Sequence, residues 1–294
     1  MNGQPPLPEQ TVFVVGATAS GKTRFALDLA QKLNGEIING DAYQIYQGMR
    51  LLSAGPDEDE LSQAPHHLFE TLNVREESNA ALHFDQVKPI AESICERGKT
   101  PIVVGGSGMY LKFMTHGSSG LPEGDPQMRA AMDQQPLEAL VAKLQERDPE
   151  GAAQTNLTNR RYVSRALEIC LLTGQKMSEL KVQWKEHSEQ IESKLNGYLL
   201  QWNRDDLADR IALRTSMMMR DGVVEEVEKI REIASNTCRK AIGFREVEDF
   251  LDGKITKARC EELILFATRQ YAKRQRTWFR KEGWLKAVDK QKSH

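Results

Sequence analysis

No apolar run in this chain comes near the ~20 residues needed to span a bilayer, and its start, MNGQPPLPEQ, has neither a basic n-region nor an apolar h-region. These absences argue against a membrane or exported protein, so a cytoplasmic location with no membrane partner is expected. Cysteine is scarce: Cys95, Cys170, Cys238 and Cys260 stand without a C-x-x-C pair or any cysteine–histidine metal spacing. That excludes a disulfide framework and a zinc site built on them, and predicts free, mostly buried thiols in a reducing compartment. Internal repeats and low-complexity tracts are also missing. What remains is 294 residues, 39% apolar and 28% charged, enough for one large globular domain or a domain with an elaboration.

The net charge of −2 hides an uneven distribution. From Arg239 to His294 there are 15 Lys and Arg against 8 Asp and Glu, while residues 1 to 238 carry 25 against 34. A basic tail on an acidic body points to a polyanionic partner, although a solvated basic helix gives the same count. In LILFATRQYAKRQRTWFRK, Arg269, Lys273, Arg276 and Arg280 are spaced 4, 3 and 4, which at 100° per residue places them within about 60° of one another. Ile264, Ala267, Tyr271 and Trp278 fall on the opposite side. The helix is therefore expected to dock by that apolar face and to present the cations outward.

The strongest local motif is GATASGKT, comprising Gly16, Ala17, Thr18, Ala19, Ser20, Gly21, Lys22 and Thr23. It fits G-x-x-x-x-G-K-[ST], in which backbone N–H groups, a lysine and a hydroxyl converge on a chain of phosphates and its magnesium. The apolar run TVFVVG precedes it, and KTRFALDLAQKLNG follows with Ala26, Leu29, Ala30 and Leu33 at helical spacing. Strand, phosphate loop and helix are thus expected in that order. EIINGD reads as a second strand delivering Asp41, and Phe84, Val87, Ile90, Ala91 and Ile94 mark a helix leading to the strand PIVVGG. Two such crossovers predict an α/β fold, a P-loop parallel sheet core flanked by helices, with its site at the carboxyl ends of the strands.

One feature of P-loop hydrolases is lacking: a later apolar strand ending in aspartate to hold the magnesium. The candidate strand here ends in VVGGSG, bringing bare backbone and the Ser107 hydroxyl instead. ATP hydrolysis becomes the weaker reading. Asp41, at a neighbouring strand end, can be a structural cap, a magnesium ligand or a general base, and position alone leaves all three open. The adjacent His66 and His67 of PHHL cannot both face one tetrahedral ion, so a structural role is expected for them. Beyond THGSSGLPEGDP, rich in glycine and proline, the patterns become helical, most clearly in TNRRYVSRALEICLLTG. A mainly helical insertion domain over 119–200 is expected, with the core formed by 1–118 and 201–294.

Taken in order, GATASGKT, GDAYQIY, PHHL, RGKTPIVVGGSGMYL, RALEI with TG, RIALRTSMMMRDGVVEEV, AIGFRE and TRQYAKRQRTWFR form a set that resembles the tRNA dimethylallyltransferases, over roughly residues 12 to 285. The resemblance implies transfer of a dimethylallyl group to the exocyclic N6 amine of the adenosine 3′ to the anticodon, in tRNAs reading codons that start with U. It implies that the P-loop, with Lys22, Thr23 and magnesium, holds the diphosphate of dimethylallyl diphosphate. Asp41 matches the family's general base, Arg214 its diphosphate-binding arginine, and Ser107 the position of a substrate-touching threonine. It further implies that Ala42, Tyr43 and Gln44 line the mouth of the adenine channel. Contacts to the tRNA anticodon stem-loop are expected from Arg129, Arg161, Arg165, Lys240, Gly243, Phe244, Arg245, Lys273, Arg276 and Arg280. The insertion domain would close over the anticodon arm, and a monomer is expected. Departures from the family pattern are Ala42 after Asp41, Gly55 in LLSAGP, and Arg161-Tyr162 before RALE. They touch the tRNA grip and leave the proposed base and phosphate ligands in place. A transferase acting on free adenine nucleotides, a small-molecule or nucleotide kinase, and a tRNA-binding protein without catalysis are the alternatives.

Overall fold

The computed structural model describes residues 5–117 and 124–290. They divide into two compact units, one of residues 124–193 and one of residues 5–117 with 194–290. The larger unit is built on a six-stranded sheet: β1 Val12–Gly16, β2 Gly35–Asn39, β3 His66–His67, β4 Thr100–Gly105, β5 Asn196–Trp202 and β6 Lys286–Lys290. The order across the sheet is β3-β2-β4-β1-β5-β6, and every neighbouring pair is parallel.

The strands alternate between two cores, as a period of two requires when both sheet faces are covered. Val14, Ile37, Ile102, Val104 and Leu200 pack with Ala26, Leu27 and Ala30 of the helix Lys22–Leu33. On the other face Phe13, Val15, Ile38 and Val103 meet Val87, Ala91 and Ile94 of the helix Ala80–Glu96. Pro89 lies within that helix without ending it. A third core joins Tyr46, Met49, Met218, Val223, Val227, Phe244 and Ile264.

β1, β2, β4 and the helices between them follow the expected pattern, whereas β5 and β6 do not. Residues 196–202, of which 196–200 were expected in the helical insertion, form a strand beside β1, and the helical unit stops at 193. β6, with the sequence KAVDK, is an edge strand whose charges hide its apolar signal. β3 is only His66 and His67. His67 Nε2 lies 2.8 Å from the buried Glu36 carboxylate, which Arg97 and Lys99 also engage. His66 Nδ1 meets the Ala64 carbonyl at 2.7 Å. Both histidines are therefore structural. All four cysteines are free, and Cys170, Cys238 and Cys260 are buried.

The second unit is helical. In it the helix Arg160–Thr173 ends on Gly174 in the left-handed conformation and packs Val163, Ala166, Leu167 and Cys170 against Leu140 and Leu144. No helix among the described residues is long and apolar enough to cross a membrane.

The long helix Lys257–Phe279 lies differently from the expectation. Its buried residues are Cys260, Ile264, Ala272, Gln275 and Phe279, and Trp278 is 38% exposed. The buried stripe is rotated about 60° from the apolar one toward Arg276. The reason is Gln275, whose amide accepts from Thr18 N at 2.8 Å and donates to the Gly106 carbonyl at 2.9 Å. A polar side chain with both ends satisfied can occupy a core position that an apolar count would never assign to it.

Candidate active site

Three consecutive strands, β2, β4 and β1, end side by side, and the loops that follow them carry Asp41, Ser107 and the phosphate loop. The close approach of the first two depends on glycine. A Cβ at Gly105 would stand 2.2 Å from the Gly40 carbonyl oxygen, a separation no side chain can occupy. Without a Cβ there, the loops converge and Ser107 Oγ reaches Asp41 Oδ2 at 3.3 Å. Ser107 is the N-cap of the helix Gly108–His116 yet makes no capping bond. Its oxygen instead accepts from Ala42 N at 3.2 Å.

Asp41 is held from several sides. Its N–H donates to Asn39 Oδ1 at 2.7 Å, its carbonyl accepts from Asn39 Nδ2 at 3.2 Å, and Oδ1 accepts from Tyr43 N at 3.0 Å. Asn39 is fully buried, and its own carbonyl meets His83 Nε2 at 2.8 Å. Burial lowers the His83 pKa, so the ring is neutral and Nε2 is the donor. Tyr271 lines the same cavity as Asp41 and feels its charge. Burial first, and then the Asp41 charge, raise its hydroxyl, which leaves it protonated.

The phosphate loop turns through Gly16, Ala19 and Gly21 at positive φ and runs into the helix Lys22–Leu33, so backbone N–H groups gather at a helix N-terminus. Lys22 Nζ folds back on the loop and donates to the Ala17 carbonyl at 2.9 Å and the Gly16 carbonyl at 3.2 Å. Enclosure by the loop and cavity walls lowers its pKa to about 8. The Asp41 charge opposes that shift and the Arg214 charge adds to it. Arg214 donates to Thr18 Oγ1. Arg210, one turn earlier on the helix Arg204–Arg220, donates from Nε to the Ala19 carbonyl at 2.7 Å and stacks its guanidinium 4.5 Å from the Trp202 ring centre. Trp202 Nε1 in turn donates to the Ser20 carbonyl at 3.0 Å.

These groups surround one cavity of about 390 Å³. One end is cationic and polar, formed by residues 18–23 with Arg210 and Arg214. The other is largely apolar, with Leu52, Met218, Ala241 and Ile264 of the third core beside Ile242; Lys240 and Arg274 also line the cavity, and Asp41 and Tyr271 lie on the wall. An anionic head with a short hydrocarbon tail matches this division of chemistry.

The structure thus gathers Lys22, Thr23, Asp41 and Arg214 on one cavity, with Ser107 behind Asp41. Tyr43 and Gln44 also line it. Tyr43 OH donates to the Lys240 carbonyl at 3.2 Å, and Ala42 lines the outer hollow beyond Tyr43. Among the residues expected to meet RNA, Lys240, Arg245 and Lys273 are exposed. Phe244 is not: it is fully buried in the third core, under the Arg239 guanidinium. Gly243 is buried too, at φ 98°. Phe244 thereby anchors its segment to the third core. Arg276 is half-buried and Arg280 exposed. In the helical unit, Arg129 and Arg165 both pair with Glu168, a carboxylate 1% exposed, at 2.9 and 2.7 Å, while Arg161 is exposed.

Sequence reasoning missed Arg210, Tyr271, Gln275 and the apolar end. Arg210 was detectable, standing four residues before Arg214 and hence on the same helix face.

An IPP transferase family model matches residues 44–282. The chain belongs to the IPP transferase family. Curated relatives named tRNA dimethylallyltransferase include one from Akkermansia muciniphila, 40% identical over 278 residues, covering 95% of this chain and 92% of the relative. Another, from Nitrosomonas europaea, is 37% identical and covers 95% and 90%. Among solved structures, the full-length tRNA isopentenylpyrophosphate transferase of Bacillus halodurans is similar with a TM-score of 0.69 at 34% identity, covering 96% of this chain and 90% of that one. A eukaryotic dimethylallyltransferase acting on tRNA is similar with a TM-score of 0.80 at 27% identity, covering 95% and 73%. The phosphate loop and Asp41 precede the region matched by the family model. This cavity therefore joins residues from both sides of the boundary at residue 44.

Proposed function

We propose that the chain is a tRNA dimethylallyltransferase, moving the five-carbon group of dimethylallyl diphosphate to the exocyclic N6 amine of an adenosine beside the anticodon. The observation that carries this reading is the two-ended cavity, cationic at the phosphate loop and apolar at Met218 and Ile264, with one carboxylate, Asp41, on its wall. The diphosphate lies at the cationic end and the hydrocarbon against the apolar one. The adenine, extruded from the anticodon loop because its amine is inaccessible within the stack, arrives past Tyr43.

The N6 lone pair attacks the first carbon of the donor as that carbon's bond to the diphosphate oxygen breaks. The amine loses a proton to Asp41, the general base, whose carboxylate is aimed by Tyr43 N and Ser107. Lys22, Arg210 and Arg214 stabilise the charge growing on the leaving diphosphate, which they surround before the reaction begins. A magnesium ion fits this cradle. Thr23 supplies a hard hydroxyl oxygen on the cavity wall, and the described residues contain no cluster of three or more His, Cys, Asp or Glu. Such an ion would draw most of its ligands from phosphate and water, as magnesium commonly does, and when bound it would neutralise part of the diphosphate charge. The chain acts as a monomer in this reading.

The test is incubation of the full chain with dimethylallyl diphosphate, magnesium and unmodified tRNA, followed by nucleoside analysis. Prenylated adenosine is expected. Prenylated AMP without prenylated tRNA would move the reading to a free-nucleotide transferase.

A further inference from the structure

The two ends of the Gln275 amide reach different halves of the active site. Oε1 accepts from the N–H of Thr18, in the phosphate loop after β1, and Nε2 donates to the carbonyl of Gly106, in the loop after β4 that carries Ser107. A backbone N–H only donates and a carbonyl only accepts, so these partners fix which end of the amide is which. β1 and β4 are neighbours, and their register ends at Val15 and Gly105. Gln275 thus ties the two chains together just past the point where the ladder stops. Glycine makes room for it, since a Cβ at Gly106 would stand 2.3 Å from Gln275 Nε2. The side chain is 4% exposed, which limits competition from water for either bond. Each loop has a second anchor within the site. Thr18 also accepts from Arg214 through its hydroxyl, and Ser107, directly after Gly106, reaches Asp41 Oδ2 at 3.3 Å.

We propose that Gln275 is a positioning residue for the transfer step, an inference that rests on the function proposed above. Its amide fixes the separation between the phosphate loop, which sets where the first carbon of the donor lies, and the Ser107 loop, which aims Asp41. The amine, that carbon and the base have to align at once, and a misplacement of about 1 Å can cost on the order of a hundredfold in rate. Gln275 borders the cavity, but each end of its amide is committed to a loop, and it acts through those loops. An apolar side chain of the same length would fill the core position equally well, so the amide serves the register of the two loops more than the packing of the helix. The cations that hold the diphosphate, Lys22, Arg210 and Arg214, do not depend on it for their charge. Loss of the amide is therefore felt in transfer more than in donor binding.

The experiment compares the full wild-type chain with Gln275→Met, which keeps the length of the side chain and removes both bonds. Calorimetry with dimethylallyl diphosphate and magnesium reads donor binding, and single-turnover prenylation of unmodified tRNA at saturating donor reads the transfer step. Gln275→Met is expected to bind one donor per chain with Kd within about fivefold of wild type and to transfer about a hundredfold more slowly. If Gln275→Met does not fold, Gln275→Glu replaces it. That variant keeps the acceptor for Thr18 N and sets an oxygen against the Gly106 carbonyl where the donor stood, and saturating donor removes the effect of its charge on binding. Transfer slower by about tenfold or more is expected of it, the consequence of one unpaired buried acceptor. A transfer rate within about threefold of wild type in the variant that folds overturns the proposal. A rate loss matched by an equal loss of donor-binding chains also overturns it, because Gln275 would then only stabilise the fold. Failure of the underlying function is told apart by the wild type: no prenylated adenosine from it refutes that function and this inference with it.

Discussion

Affinity for the donor should fall with rising pH through the titration of Lys22 alone. Enclosure places the Lys22 pKa at about 8 in the ligand-free protein, and only the ammonium attracts a diphosphate. Since the folded value lies below the ordinary lysine value, charge is lost early as pH rises, and the loss weakens anion binding. From pH 7 to pH 9 the protonated fraction falls from about nine-tenths to about one-tenth, a tenfold rise in Kd or about 1.4 kcal/mol. Other cavity groups do not confuse this window. Burial pushes Tyr43 up to about 12 and raises Tyr271 as well, and Arg214 stays charged as arginines do. The terminal phosphate of the donor, with a pKa near ~6, is ionised above pH 7. Calorimetric titration of dimethylallyl diphosphate without tRNA, at constant ionic strength and magnesium, reads the effect. Lys22→Met should bind more weakly and show no dependence over the same range. A flat wild-type profile, or the same slope in Lys22→Met, would refute the assignment of Lys22 as the buried phosphate cation.

Three further outcomes follow from the geometry. Asp41→Asn should lower turnover by ~10²–10⁴, the usual range for a general base, while tRNA affinity measured by filter binding stays close to wild type. An equal loss in both would remove Asp41 from the chemistry. Gly105→Ala drives a Cβ into the Gly40 carbonyl at 2.2 Å, so a thermal melt should show overpacking of about 1–3 kcal/mol, and turnover should fall because Asp41 and Ser107 are forced apart. Glu168→Ala strands Arg129 and Arg165 in the helical unit. With those arginines partly exposed, a urea melt should show a loss on the order of 2 kcal/mol.

The half of the site that follows local rules is legible in the sequence. The phosphate loop between an apolar strand and an amphipathic helix, and Asp41 at the end of β2, are fixed by short-range pattern, and both lie on the cavity wall. Groups that reach the cavity from far along the chain were hidden. Gln275 sits 257 residues from Thr18, its hydrogen-bond partner, and among arginines in a basic helix it reads as one more solvated side chain. β5 and β6 escaped for a related reason, since each is a short run whose strand character comes from pairing with β1 and then with β5. Phe244 shows what a segment-level expectation leaves out. It stands in a stretch expected to meet RNA, its ring fills the third core, and what the segment exposes is Lys240 and Arg245.

The central claim is that one cavity joins a phosphate cradle to a prenyl-sized apolar end beside a single general base. Single-turnover prenylation of unmodified tRNA by wild type and by Asp41→Asn, each with donor binding measured in parallel, tests it most directly. Prenylated adenosine is expected from the wild type, and from Asp41→Asn full donor binding with product formation slowed at least about a hundredfold, the lower bound for a lost general base. Wild-type binding of the diphosphate with no adenosine product, or unimpaired turnover in Asp41→Asn, would contradict it.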